Sequence, residues 1–180
     1  MEEPMKQTIT LAGGCFWCLD AVFRRLHGVE SSVCGYAGGE ADDAHYHKVA
    51  TGKTGHAESV EVTFDDQVLP LDVLLDIFFT LHDPTTLNRQ GADTGPQYRS
   101  AMFYNDEVQK QAFLQAKERA QEIWDDPIVT EIVPLKEFYA GEQEHQDYFN
   151  NNPGNGYCSI VIAPKIVKVR KKFISYFKED

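Results

Sequence analysis

At 180 residues the chain has the length of one ordinary domain, and it can bury roughly 70% of its unfolded surface without a metal or disulfide. Its 17 Lys and Arg against 28 Asp and Glu give a net charge of −11, which argues against general binding to nucleic acid or an anionic membrane. A hydrophobic content of 42% is globular, and four cysteines are too few for a disulfide scaffold.

The acidic start, Met1-Glu2-Glu3-Pro4, lacks the basic and apolar regions of a signal peptide. The best apolar run, Val73 to Leu81, is interrupted by Asp76 and falls far short of a membrane span. The expected setting is therefore reducing and cytoplasmic, where cysteines are more often reactive than structural. Thr8 to Ala12 is a short β-prone run that ends at Gly13-Gly14. Leu19, Val22, Phe23 and Leu26 then recur at helical spacing, with Gly28 as a stop. Ser31 to Tyr36 reads as a second strand, and His56 to Phe64 as a third, with Val60, Val62 and Phe64 on one side. Pro70 opens a helix whose apolar face carries Leu71, Leu74, Leu75 and Phe78.

The polar stretch from His82 to Pro96 reads as a long loop, and such loops are usually functional. Tyr98 to Tyr104 is a predicted strand, and Asn105 a cap for a helix running to Trp124. After a short strand at Thr130 to Val133 the chain reads as irregular and aromatic, up to the turn cluster Asn150 to Gly156. Ser159 to Ile162 and a basic amphipathic helix, with Ile166, Val169, Phe173 and Phe177 inward, finish it. The order strand, helix, strand, strand, helix, strand predicts an α+β fold. Its expected core is a ferredoxin-like βαββαβ sandwich, with helices on one face of an antiparallel sheet and an irregular C-terminal extension. No linker or repeat divides the chain, so residues 1–180 are expected to form one domain, with 141–180 as its C-terminal segment.

The cysteines are where the chemistry concentrates. Gly13-Gly14-Cys15-Phe16-Trp17-Cys18 sits where a strand hands over to a helix. There the sulfur of Cys15 is expected to meet free N–H groups and the positive end of the helix dipole, which favour the thiolate. Phe16 and Trp17 cannot both face one core, which leaves an aromatic ring to wall a pocket. The Cys15-x-x-Cys18 spacing also fits a dithiol redox pair or half a zinc site, but no second half-site accompanies it. Cys34 reads as a small buried residue on a strand. Lys165, Lys168, Arg170, Lys171, Lys172 and Lys178 read as the solvated face of the last helix.

A set of short motifs in order resembles the methionine sulfoxide reductase A family, whose members reduce the S epimer of methionine sulfoxide. They are Gly13-Gly14-Cys15-Phe16-Trp17, Gly35-Tyr36-Ala37-Gly38-Gly39, Tyr46, Thr54-Gly55-His56-Ala57-Glu58, His82-Asp83-Pro84-Thr85, Asp93, Gln97-Tyr98-Arg99-Ser100 and the tail from Asn152-Pro153 to Tyr157-Cys158. The resemblance implies that Cys15 is the nucleophile, leaving as a sulfenic acid, and that Glu58 is the acid, with its pKa raised by burial. It implies that Tyr46 and Tyr98 donate to the sulfoxide oxygen, that Asp93 helps order the site, and that Phe16 and Trp17 seat the methyl group. His56 and Arg99 flank these motifs as supporting residues. Cys158 is the implied resolving cysteine, with Cys18 as a competitor, and thioredoxin or a similar dithiol protein the implied reductant. Neither a metal nor an organic cofactor is implied, and the expected protein is a monomer that repairs methionine oxidised free or in proteins.

Two other readings remain at this level. A thioredoxin-like oxidoreductase working through Cys15 and Cys18 explains the cysteine spacing, but it gives Tyr46, Tyr98 and Glu58 no task. A non-enzymatic interaction module leaves the cysteine at the head of the helix unexplained.

Overall fold

The computed structural model describes residues 6–179, apart from the side chains of Cys158 and Ser159. A six-stranded mixed sheet lies at its centre, with helices packed on one face. In chain order the elements are β1 (Lys6–Ala12), α1 (Phe16–Phe23), β2 (Val29–Ala37), α2 (Tyr46–Val49), β3 (Ala57–Asp65) and α3 (Leu71–Leu81). There follow β4 (Arg89–Gln90), β5 (Asp93–Thr94), β6 (Ala101–Tyr104), α4 (Glu107–Gln121), β7 (Glu131–Pro134), β8 (Phe138–Ala140), α5 (Tyr148–Asn151) and α6 (Ala163–Lys172).

The sheet order is β7-β6-β1-β3-β2-β8, while β4 and β5 form a separate small hairpin. The four strands expected from the sequence fall in the order β6-β1-β3-β2, and each neighbouring pair is antiparallel. Two short strands extend this set: β7 lies parallel to β6, and β8 antiparallel to β2. The sheet is therefore mixed, not purely antiparallel. The irregular stretch expected after residue 133 contains β8, a strand too short to show periodicity.

Alternation along each strand sorts the side chains. Ile9, Leu11, Cys34, Tyr36, Val60, Val62, Phe64 and Met102 join the helices in the main core. Ala12, Ala37, Ala57, Ala101 and Phe103 form a thinner apolar cluster with Val133, Leu135 and Phe138. Glu58 shares the phase of Val60 and Val62, which turns its carboxyl toward the helices. Of the eight residues of α1 only Trp17 is not buried, because α5 and α6 cover the side that the sheet leaves open.

Several boundaries differ from the sequence expectation. The helix expected to reach Trp124 ends at Gln121, and the last helix ends at Lys172, short of Phe173 and Phe177. Three further differences have local reasons. Asp106, not Asn105, caps α4: its carboxylate accepts the Gln109 N–H at 2.8 Å, three residues into the helix. Tyr98 lies in a 3-10 turn, Pro96–Tyr98, ahead of β6. The run expected as a strand at Ser159–Ile162 belongs to a wide helical turn, Cys158–Ile162, that merges into α6. Its apolar residues suit either state, and with β7 and β8 at the sheet edges the segment packs Ile162 into the helical core instead.

One buried ion pair locks α1 onto β2. Asp20 accepts from Arg24 Nε at 2.9 and 3.0 Å and from Ser32 Oγ at 2.6 Å, while Arg24 Nη2 donates to the Ser32 carbonyl at 2.7 Å. Asp20→Ala removes the acceptor for both. Because the Arg24 side chain is 30% exposed, water takes over part of the loss. The expected cost is about 2–3 kcal/mol, below the roughly 3–5 kcal/mol of a fully buried pair. Urea unfolding of the two proteins measures it.

Candidate active site

The strand-to-helix junction foreseen in the sequence is built by two glycines. Gly13 packs against His82, and an added Cβ would lie 2.9 Å from the ring. Gly14 adopts φ +93°, and an added Cβ there would meet Gln90 at 2.6 Å. His82 is held rigidly by Phe78 O at 2.6 Å and Ser100 Oγ at 2.8 Å, so Gly13 cannot be enlarged cheaply. The turn delivers Cys15 to the N-cap position of α1.

The free N–H groups of the helix are shared between two reactive groups. The Phe16 amide donates to Glu58 Oε1 at 3.2 Å, and the Trp17 backbone favours the Cys15 thiolate. The sequence argument expected this helix end to favour a Cys15 thiolate. The structure reverses the sign: burial pushes the Cys15 thiol well up, aided by its hydrogen bond with Cys18 and the charge of Glu58. Cys18 moves down because Cys15 donates to it, against its own burial, with Lys165 and Tyr157 assisting. The two thiols therefore act on each other in opposite directions, Cys18 raising Cys15 and Cys15 lowering Cys18. Cys34, also buried, donates its S–H to Phe16 O at 3.7 Å, beneath the same turn.

Glu58 is buried, and desolvation carries its pKa from 4.5 to about 8. The Phe16 amide opposes that rise, while negative charge on Asp93 and Cys18 reinforces it. At neutral pH the carboxyl holds its proton and can donate it. Directly across the strands, in register with Glu58, stands Tyr36.

The two other expected donors converge here from different segments. Tyr46, the first residue of α2, lies near-parallel to Phe16 at 6.3 Å and packs on His145 at 4.4 Å. Burial, with the charges of Glu58 and Cys15, pushes its phenol up to about 12. Tyr98 is raised as well, by burial and then by Glu58, Asp93, Tyr46 and Cys15. Both phenols therefore keep their protons at neutral pH. Asp93, on β5, accepts the Tyr157 hydroxyl at 2.9 Å.

An aromatic wall completes the site, and most of it was invisible in the sequence. Trp17 stacks on Tyr148 at 3.7 Å with 5° between the planes, and meets Tyr157 edge-on at 6.1 Å. Its indole N–H donates to His145 Nδ1 at 3.3 Å. Phe16 lies deeper and is fully buried, packed against Tyr36 and Tyr46. Glu142, His145 and Tyr148 were not singled out from the sequence, and Tyr36 was named only as part of a motif, without a role. The Gly-Glu-Gln-Glu-His-Gln-Asp-Tyr stretch at 141–148 was the available signal, a dense run of polar and aromatic side chains in a segment read as irregular.

The supporting residues hold loops in place. His56 Nδ1 accepts the Gly39 N–H at 3.1 Å, and Nε2 lies 2.8 Å from the Glu40 carbonyl. Arg99 donates to Gly55 O, Pro96 O and Glu131, clamping the turn that carries Tyr98. Glu142, Glu144 and His145 bring one ligand atom each within 4.8 Å of the others. Tyr36 and Tyr46 occupy the Glu142 oxygens and Trp17 occupies His145 Nδ1, whereas His145 Nε2 is buried without a hydrogen-bond partner. The Cys158 side chain, expected to resolve the sulfenic acid, lies outside the described residues.

The comparisons with known proteins agree with one another. The family model described as peptide methionine sulfoxide reductase matches residues 7–176. A peptide methionine sulfoxide reductase MsrA from Clavibacter michiganensis subsp. michiganensis is 57% identical over 172 residues, covering 96% of this chain and 98% of the relative. Among solved structures, Mxr1 from Saccharomyces cerevisiae in reduced form superposes with a TM-score of 0.79 at 37% identity, covering 85% of this chain and 89% of the other. The same yeast protein in complex with Trx2 gives a TM-score of 0.55 at 31% identity, covering 79% and 84% of the two chains. From these matches, which span nearly its whole length, the chain belongs to the peptide methionine sulfoxide reductase family.

Proposed function

We propose that the chain reduces the S epimer of methionine sulfoxide, free or in proteins, by attack of Cys15 on the sulfoxide sulfur. The observation that carries this reading is the buried, protonated Glu58 joined through the Phe16 amide to the turn that presents Cys15. A sulfoxide is a poor electrophile until its oxygen is protonated or strongly hydrogen-bonded, and Glu58 supplies that acid. Tyr46 and Tyr98 donate to the same oxygen as charge develops on it. In its acid form Glu58 also stops opposing the Cys15 thiolate, so one proton serves both partners. The methyl group sits against Trp17, with Phe16 beneath it, and Asp93 steadies the site through Tyr157.

Attack transfers the oxygen from methionine sulfur to Cys15 sulfur. Methionine leaves, and Cys15 becomes a sulfenic acid. A second thiol then attacks that sulfur, releases the oxygen as water and forms a disulfide. Cys158 is assigned this role. Tyr157, one residue before it, is anchored to Asp93 and lies edge-on to Trp17, which keeps the segment beside the site. A dithiol protein of the thioredoxin type returns the disulfide to two thiols and is itself oxidised; the yeast relative seen with Trx2 supports this choice. The thioredoxin-like alternative, with Cys15 and Cys18 as the working pair, is not favoured by the family match. The chain is proposed to be a cytoplasmic monomer that repairs proteins under oxidative stress. The whole chain is read as one catalytic domain whose segment 141–180 carries the resolving cysteine. Its core is assigned to the ferredoxin-like sandwiches, supported by the strand order β6-β1-β3-β2.

Four outcomes test the reading. With dithiothreitol as reductant, the wild type consumes only the S epimer of a methionine sulfoxide peptide and Cys15→Ser consumes neither; chiral chromatography of the products decides, and turnover of the R epimer overturns the assignment. Peptide mapping of protein oxidised by one equivalent of substrate should show a Cys15–Cys158 bridge, and a dominant Cys15–Cys18 bridge would reassign the resolving role. In single-turnover kinetics the rate of methionine release should fall as pH rises through about 8, where Glu58 loses its proton. Glu58→Gln should abolish that limb and slow the step by about 10²–10⁴-fold. Because folding raises the Glu58 pKa, its relative stabilisation is complete below 4.5 and is lost as pH rises to about 8. The Gln variant should accordingly melt higher than wild type at pH 8, by an amount that shrinks as pH falls toward 4.5.

A further inference from the structure

We propose that Glu142 is a positioning residue for the reaction, acting through Tyr46 by fixing the first turn of α2. The proposal rests on the reading above, in which the Tyr46 phenol donates to the sulfoxide oxygen.

Glu142 follows β8 and projects back over the end of β2. Its Oε1 accepts the Tyr36 hydroxyl at 2.7 Å and its Oε2 accepts the Tyr46 backbone N–H at 2.9 Å. Tyr36 is fully buried in β2 and pairs in register with Glu58, so the first bond ties the carboxylate to the strand beside the acid. The second bond does the work of a helix cap. His45, the residue at the N-cap position of α2, makes no capping bond with its own side chain, and the helix is only four residues long. A helix that short has little stability of its own and takes its position from outside contacts. Here the carboxylate comes from a residue 96 positions away.

The other end of α2 is held in a matching way. Gln97 Nε2 donates to the Ala50 carbonyl at 3.2 Å, and Gln97 immediately precedes Tyr98. The two phenol-bearing segments are therefore joined to each other at one end of α2, and to the sheet at the other. The Tyr46 ring packs against both Phe16 and His145, which also touch each other, so its backbone and its ring are both constrained. Glu142 stays ionised: partial burial pushes its carboxyl up, but the Tyr36 and Tyr46 donors outweigh it and hold the pKa below the ordinary value. Two carboxylates thus serve one phenol from opposite protonation states. Glu58 shares its proton with substrate, and Glu142 uses its charge to hold the backbone.

Glu142→Gln keeps the shape but can set an NH₂ group against the Tyr46 N–H, leaving α2 without its cap. The variant should lose about 10–100-fold in kcat, the scale expected for a displaced catalytic group. KM should change less, and the alkaline limb assigned to Glu58 should stay near pH 8. The deciding measurement is a double-mutant cycle with Tyr46→Phe. If Glu142 acts through Tyr46, then in the Tyr46→Phe background Glu142→Gln costs less than about 2-fold further. Multiplicative losses from the two changes would overturn the proposal while leaving the role of Tyr46 intact. A Tyr46→Phe enzyme with full activity would overturn the proposal together with the donor role assigned to Tyr46. Should Glu142→Gln fail to fold, Tyr36→Phe removes the other bond to the same carboxylate. A smaller kcat loss, again suppressed by Tyr46→Phe, is then expected, and a loss that persists in that background refutes the proposal.

Discussion

Keeping one carboxyl group out of water is the constraint that the rest of the site obeys. Glu58 belongs on β3 by phase, among Val60, Val62 and Phe64, where a polar residue costs several kcal/mol unless it is neutral or hydrogen-bonded. The fold accepts it in its neutral form, with one amide donor from the head of α1. That single N–H ties Glu58, the proposed acid, to the residue that directly follows Cys15. The close glycine turn, the buried His82 behind it and the Asp20–Arg24 lock on α1 all hold that helix end still. Rigidity here is chemical in purpose: an acid and a nucleophile that drift apart by an ångström lose much of their cooperation.

Burial has opposite consequences for the two groups. A carboxyl is made useful by it, since its proton becomes available at neutral pH. A thiol is made less nucleophilic, since its thiolate is disfavoured. A neutral Glu58 limits this conflict by adding no repulsion to the Cys15 thiolate, whereas Cys18 deepens it by raising the Cys15 thiol further. The resting enzyme thus keeps Cys15 as a thiol in a covered pocket, a state less open to stray oxidants than an exposed thiolate.

Local chemistry was the part of this design that the sequence displayed. Gly-Gly before Cys15, the phase of Glu58 along its strand, and the apolar faces of α1 and α3 are written within a few residues of the groups they serve. The dipole argument for Cys15 failed because it weighed the helix end without the covering layer, which comes from α5 and the tail. Glu142, His145 and Tyr148 escaped for the same reason. Their partners lie 106, 128 and 131 residues away along the chain, and nothing local marks a carboxylate that caps someone else's helix. The strand β8 that brings them near is three residues long, below the length at which alternation can be read.

The stack of Trp17 on Tyr148 gives the enzyme an optical label at its own reaction centre. The chain has two tryptophans, and the other, Trp124, bonds its indole N–H to Phe79 O on the far side of α3. Trp17 has its face against one phenol, its edge toward another, and its N–H on an imidazole, so its emission depends on contacts made by residues 145–157. Any rearrangement of that segment around the cysteines changes the surroundings of this indole. With Trp124 exchanged for phenylalanine, ordinary fluorescence would then follow the tail's closing and release in real time, with no dye attached.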